Sequence, residues 1–211
     1  MTTADQPVHD RAAPARAGYR RSTGSTRGEA RRKELLDRVT DDLAVNGLVD
    51  FSLRRAARAA GTTHKVLLYY FDGADDLMLQ AILKLRARRI DKSMAAATQG
   101  QMTLSARVRA IWRALLSEES RVLDQAIGLM MYDRTRYAEL GRGATQQYLP
   151  GLLSLCPPHW AERRKREVAA MIMATLRGFL IDGLTSGDMA GADAGLEALA
   201  RALDREEAAD I

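Results

Sequence analysis

The sequence predicts an all-α protein of about nine helices, with an N-terminal helix-turn-helix followed by a helical C-terminal domain. Three observations predict the class. Apolar residues recur three and four positions apart through nearly all of the chain after residue 27. No stretch alternates apolar and polar residues as a half-buried strand does. Ser, Thr, Asn, Asp and Gly punctuate the ends of the periodic segments, where helix starts and stops call for them.

Residues 1–27, "MTTADQPVHDRAAPARAGYRRSTGSTR", have no apolar period and two prolines, and read as a disordered basic arm. Helical patterning begins near Arg27. "RGEARRKELLDRVTDDLAVNG" puts Leu35, Leu36, Val39, Leu43 and Ala44 on one stripe, and Asn46–Gly47 stops it. In "FSLRRAARAAG", Ser52 is the N-cap candidate, and Leu53, Ala56, Ala57 and Ala60 form an inward face of mostly small side chains. Gly61 ends that helix. "TTHKVLLYYF" starts the next within two residues, capped by Thr62 or Thr63 and buried along Val66, Leu67, Tyr70 and Phe71. Two short helices about a tight glycine turn make a helix-turn-helix, and the alanines let the second sit close on the first.

Acidic residues from Asp72 to Asp76 open a long helix whose stripe runs through Leu77, Ala81, Ile82 and Leu85, with a break at Gly100. Further helices follow over Thr103–Leu116, Arg121–Tyr137 and Thr145–Leu155, the last broken or kinked at Pro150 and Gly151. "CPPHW" reads as a loop and Ala161–Thr185 as a long helix. "SGDMAGADAG" reads as a connector, and Ala192–Ala208 as the last helix.

Composition narrows the function. The 211 residues are 46% hydrophobic and 28% charged, as in a protein that buries a core, and no unbroken apolar run approaches the ~20 residues of a membrane span. No secretory leader pattern is present at the N-terminus. A single cysteine, Cys156, precludes an internal disulfide and points to a reducing cytoplasm. The net charge of +5 is lopsided: residues 1–65 hold 13 Lys/Arg against 8 Asp/Glu, whereas residues 66–211 hold 19 of each. A basic end on a balanced body suits a polyanion. A solvated tail that aids solubility fits the charge equally well.

The second helix of a helix-turn-helix lies in the major groove with its N-terminal residues at base edges. Thr62, Thr63, His64 and Lys65 occupy that turn. Thr can bond a base or meet a thymine methyl, and His and Lys can donate to guanine. Tyr69 and Ser52 suit phosphate oxygens. In the plainer reading the pair is a structural corner with its tyrosines in the core, and core is the expected place of Tyr70. In the arm, Arg16, Arg20, Arg21 and Arg27 could lie along a minor groove, where narrow A·T tracts attract arginine, or could remain a mobile tail.

"SLRRAARAAGTTHKVLLYYFDGADDL" resembles the DNA-binding signature of the tetracycline-repressor (TetR/AcrR) family of transcriptional regulators. Ser52 takes the family's Thr place, Ala57 its Ala, Ala60–Gly61 its Ala-Gly and Thr63 its Ser. Leu67, Phe71 and Leu77 take its Leu, Phe and final Leu. The likeness is strong over residues 29–80 and beyond them rests on helix layout. Leu68 stands where the family has Tyr, Tyr70 where it has His and Ala74 where it has Lys. The phosphate contacts of that Tyr and Lys therefore have no direct counterpart, and Tyr69 and the upstream arginines are the candidates to replace them.

The resemblance implies three parts: an arm over 1–27, a DNA-binding unit over 28–74 and an effector-binding and dimerisation unit over 75–211. It implies a cytoplasmic repressor that binds a palindromic operator in double-stranded DNA as a homodimer. Leu176, Phe179, Leu196, Leu199 and Leu203 are the expected dimer face. Trp112, Met130, Met131, Tyr148, Met171 and Thr175 are the expected lining for a mostly apolar small-molecule effector, although each suits ordinary core as well. The alternative is a nonspecific nucleic-acid or anionic-surface binder using only the arm. An enzyme is the rival class, and the residues do not favour it. His9, His64 and His159 are scattered, and Cys156 with His159 gives two ligands where zinc wants three or four. No phosphate loop or nucleophile elbow occurs. No catalytic residue, metal, cofactor or membrane partner is expected.

Overall fold

The computed structural model describes residues 25–100, 102–116 and 121–209. Nine helices account for nearly all of them: α1 (Thr26–Asn46), α2 (Leu53–Ala59), α3 (His64–Tyr70), α4 (Ala74–Ala97), α5 (Leu104–Leu115), α6 (Arg121–Tyr132), α7 (Ala138–Leu155), α8 (Glu162–Ser186) and α9 (Met189–Ala208). No strand occurs among the described residues. Residues 1–24 of the expected arm, with Arg16, Arg20 and Arg21, lie outside them, whereas Thr26 and Arg27, expected in a disordered arm, already belong to α1, which Ser25 caps.

The helices bury two apolar clusters. The first joins Leu35, Val39 and Leu43 of α1 to Ala56, Ala60, Leu67 and Phe71 around the α2–α3 turn, and to Leu77, Ile82 and Leu85 of α4; Val122 and Ala126 of α6 and Leu140 of α7 complete it. The second joins Val108, Ile111 and Trp112 of α5 to Leu152 and Leu155 of α7, Ile172, Leu176 and Leu180 of α8, and Leu196, Leu199 and Leu203 of α9. Helix α4 runs from one cluster to the other, with Leu77 near its start in the first and Ala97 at its end in the second.

Three sequence expectations about helix ends are corrected. The helix expected over Arg121–Tyr137 stops at Tyr132, because Asp133 turns the chain: its Oδ1 accepts from Arg136 N at 2.9 Å and its carbonyl from Tyr137 N at 3.1 Å. Helix α7 then begins at Ala138, not at Thr145, and runs unbroken through Pro150. Pro150 and Gln146, one turn back, are both exposed, so the carbonyl that proline leaves unbonded is open to water. The connector expected before Ala192 is largely helix. Asp188 caps α9, its Oδ1 accepting from Ala190 N at 2.9 Å. Gly195 inside α9 serves a close approach, since a Cβ there would sit 2.5 Å from the Phe179 ring.

Helix α8 is long and apolar enough to cross a membrane by length and hydropathy, although no unbroken apolar run reaches that length. Its apolar residues do not all face inward: a third of its most apolar window is buried in the protomer.

Candidate nucleic-acid interface and ligand cavity

The α2–α3 corner is built by local chemistry. Ser52 caps α2, its hydroxyl accepting from Arg55 N at 3.3 Å. The helix ends in a Schellman turn: Thr62 N donates to Ala57 O at 2.9 Å and Gly61 N to Arg58 O at 3.1 Å. Gly61 takes φ +62°, a left-handed conformation that costs glycine least. Thr63 caps α3, its Oγ1 accepting from Val66 N at 3.4 Å. The apolar side of α3 is sealed by Leu67, at 0% exposure.

Arginines fix this corner to α1. Arg32 donates to Tyr70 O at 3.3 Å and lies 4.9 Å over the Phe71 ring. Arg38 donates to Ala60 O at 3.1 Å. Arg55 spans Asp42, Val49 O and Gly47 O at 2.7 to 2.9 Å. These three guanidiniums hold the fold and are not free to meet phosphate.

What projects outward is the N-terminal turn of α3. Thr63, His64 and Lys65 are exposed, Thr62 is half-buried, and Ser52 is exposed at the start of α2. Arg27 is exposed on the first turn of α1. Tyr69 is half-buried, edge-on to the ring of Tyr70 at 4.8 Å, and Tyr70 is itself half-buried beside the first cluster. Three outward residues escaped the sequence reading: Leu68, 50% exposed at the place of the family Tyr, and Arg54 and Arg58, exposed one turn apart on α2. Two arginines at i and i+4 on a capped short helix were the available signal.

A cavity of about 110 Å³ opens between α4, α5, α6, α7 and α8. Helix α4 contributes Arg86, Arg89, Ile90, Ser93 and Met94; α5 contributes Ile111 and Leu115; α6 contributes Leu123, Ile127 and Met130. Ala144, Tyr148 and Leu152 of α7 and Met173, Leu176, Arg177 and Leu180 of α8 close it. Of the six side chains expected to line an effector site, Met130 and Tyr148 line this cavity. Trp112 is turned into the second cluster, its Nε1 donating to Asp193 at 3.0 Å. Met131 is 68% exposed and Met171 37% exposed on outer faces, and Thr175 lies off the cavity. The error was one of helix phase: Met131 and Met171 are the neighbours, one step round the helix, of residues that face inward.

The cavity also holds arginines that the apolar pattern does not mark. The stripe Leu77, Ala81, Ile82 and Leu85 continues at helical spacing into Arg86, Arg89 and Ser93, which face the same interior. Burial pushes the Arg86 guanidinium below its ordinary range, and the like charges of Arg89 and Arg177 push the same way. Arg89 pairs with Asp124 at 3.5 Å, both side chains 11% exposed. Burial raises the Asp124 carboxyl, while Arg89 pulls it back.

Helix α6 links the cavity to the segment that follows α1. Leu123 and Ile127 line the cavity, and between them Gln125 accepts from Leu48 N at 2.7 Å, at the end of α1. Replacing Gln125 by alanine is expected to leave that N–H unpartnered and to cost about 1–3 kcal/mol in a urea unfolding curve.

The leucines expected at a dimer face are corrected by their burial. Leu176, Leu196, Leu199 and Leu203 are 0 to 7% exposed inside the protomer, packed in the second cluster. Phe179 is half-buried, edge-on to Trp112 at 6.1 Å. A core seam and a dimer seam share one spacing, so the sequence could not separate them. Cys156 is buried with its thiol donating to Leu152 O at 3.6 Å, whereas His159 is exposed; the two do not converge.

The fold and the capped corner define a class: this is a helix-turn-helix protein with the architecture of the TetR-family transcriptional regulators. The chain is 28% identical over 158 residues to the HTH-type transcriptional regulator BetI of Rhizobium meliloti (strain 1021), covering 67% of this chain and 74% of that one. The structure is similar to a TetR-family regulator from Cytophaga hutchinsonii (TM-score 0.64, 13% identity, 85% of this chain and 96% of that one). It is similar to a transcriptional regulator from Rhodococcus sp. Rha1 (TM-score 0.60, 19% identity, 83% and 96%). It is also similar to the multidrug binding protein EbrR in complex with imidazole (TM-score 0.60, 19% identity, 82% and 89%). No protein-family model matches the chain. The resemblance read from "SLRRAARAAGTTHKVLLYYF" therefore stands, and its relatives are transcriptional regulators.

Proposed function

We propose that the chain is a cytoplasmic, ligand-responsive transcriptional repressor that binds a palindromic operator as a homodimer, without enzymatic activity of its own. The observation that carries it is the exposed turn Thr63–His64–Lys65, held outward by a Schellman turn and a threonine cap. In this reading α3 enters the major groove, while Ser52, Arg54, Arg58 and Tyr69 meet phosphates and Leu68 offers an apolar contact to a thymine methyl. Residues 28–74 form the DNA-binding unit and 75–211 the effector and dimer unit, and the arm over 1–27, with Arg20, Arg21 and Arg27, adds electrostatic affinity. Selection of bound duplexes from random sequence tests the proposal. A palindrome with half-sites about one helical turn apart is the expected product, and equal affinity for all DNA would favour the arm acting alone.

The dimer face moves to the outer sides of α8 and α9. Met171, Ala174, Gly178 and Leu184 on α8 are exposed, as are Ala194 and Ala198 on α9, which gives a surface of small and apolar residues suited to close helix contact. A side chain at Gly178 would meet nothing within 4 Å in the protomer. Replacing Gly178 by arginine is thus expected to leave the fold intact, to yield a monomer by light scattering and to weaken operator binding more than tenfold.

For the ligand response, α6 is the two-state element. A ligand that moves Leu123 or Ile127 shifts Gln125 and with it the Leu48 end of α1. Regulation requires the ligand to favour the form whose reading helices are wrongly spaced.

A further inference from the structure

We propose that the cavity binds a small amphipathic carboxylate, its head held by Arg86, Arg89, Arg177 and Ser93 and its apolar body lying toward Ile127 and Met130. The inference rests on reading this cavity as the effector site and names the chemistry that the site accepts.

Among the described residues the charge around the cavity does not balance. Three guanidiniums line it, and the one carboxylate paired with any of them among those residues is Asp124, at 3.5 Å from Arg89. That is long for a charge-assisted bond, which runs at about 2.7–2.9 Å. Arg86 spends its hydrogens on neutral oxygens, Gln147 Oε1 at 3.1 Å and Leu140 O at 3.3 Å. Arg177 makes no hydrogen bond or ion pair among the described residues. Two polar atoms in this lining are buried without a partner among the described residues: Arg89 Nε and Ser93 Oγ, the serine 4% exposed. Buried donors and charges are retained where something satisfies them.

A carboxylate meets these needs together. It accepts only, offers about four lone-pair sites and matches the guanidinium fork. Water could satisfy the serine but would leave the positive charge uncompensated. A bare inorganic anion would leave the apolar remainder of the cavity without contacts. A cation would face three like charges. The volume bounds the body: about 110 Å³ is somewhat less than the ~150 Å³ cavity that takes up benzene, so one ring or a short acyl chain fits.

Titration calorimetry on the full chain tests this with sodium benzoate and sodium hexanoate, against benzamide and benzylamine as neutral and cationic counterparts. At least one carboxylate is expected to bind tenfold or more tightly than benzamide, with no binding of benzylamine. Arg177→Gln, at a half-buried position, and Ser93→Ala are each expected to weaken that carboxylate by a larger factor than benzamide, and Arg177→Lys to retain part of the affinity. Thermal melts of the variants confirm that they are folded. Failure of both carboxylates to bind at millimolar concentration, equal affinity for benzoate and benzamide, or full affinity in both folded variants would overturn the proposal. Binding without any change in operator affinity at saturation would uphold the anion site and overturn ligand control of DNA binding, so the two ideas fail separately.

Discussion

Replacing His64 and Lys65 together by alanine is expected to lower operator affinity by about a hundredfold or more, from roughly 1–3 kcal/mol for each side chain that meets a base edge. The same change is expected to leave unfolding free energy within about 0.5 kcal/mol, as at surface positions generally. Both residues are exposed on the first turn of α3, and neither makes a hydrogen bond or ion pair among the described residues. Fluorescence anisotropy on the selected operator and on a scrambled duplex reads the result. A loss confined to the operator marks base recognition. A uniform loss with a salt slope shallower by about one per contact marks phosphate binding. Unchanged affinity for the operator would remove α3 from recognition altogether. Thr63 is a poorer probe of the same surface, because its hydroxyl also caps the helix at 3.4 Å from Val66 N and its loss would mix stability with reading.

The legible parts of the molecule were those written in local chemistry. Ser52, Thr63 and Gly61 mark the corner because a cap needs a short side-chain acceptor and a left-handed turn favours glycine. Those demands act within four residues, so they survive in a single sequence. Lys65, two residues before Leu67, falls on the opposite face on a 3.6-residue period, whereas His64, three before Leu67 and seven before Phe71, shares their side and is exposed by its place as the first residue of α3. The illegible parts depend on which face of a helix meets which neighbour. Leu196, Leu199 and Leu203 make a sound apolar stripe, and only packing against α5 shows that the protomer uses it for itself. Trp112 and Met131 suit a cavity lining by chemical type, yet type says nothing about helix phase.

Arg86 and Arg89 show the same limit from the other side. In "LKLRARRIDK" they look like part of an ordinary wet face, alongside Arg88, which is exposed and paired with Asp41 at 2.7 Å. Their position on the stripe of Ile82 and Leu85 was the only hint of an interior place, and two charges on an apolar stripe are easily read as its end. The unpartnered Ser93 hydroxyl becomes visible only when α7 and α8 are packed over it.

Leu67→Ala should separate holding the reading helix from being the reading helix. Leu67 has no exposed surface and packs in the cluster that ties α3 to α1, α2 and α4. Truncating such a leucine costs about 2–5 kcal/mol, because the hole it leaves closes only in part. Against the roughly 5–15 kcal/mol that keeps a domain folded, that is a large share. The damage is expected to be local at first. Backbone amides of α1 to α3 should exchange faster with solvent, while α8 and α9, whose leucines belong to the other cluster, keep their protection. Operator affinity should fall by the fraction of molecules whose head is disordered, since only the folded head binds. It should therefore return when sucrose or another excluded osmolyte favours the compact state. The His64/Lys65 double variant, folded but missing its contacts, gains nothing from the same treatment. Recovery of both variants, or of neither, would show that the N-terminal turn and the buried side of α3 do not divide the work in this way.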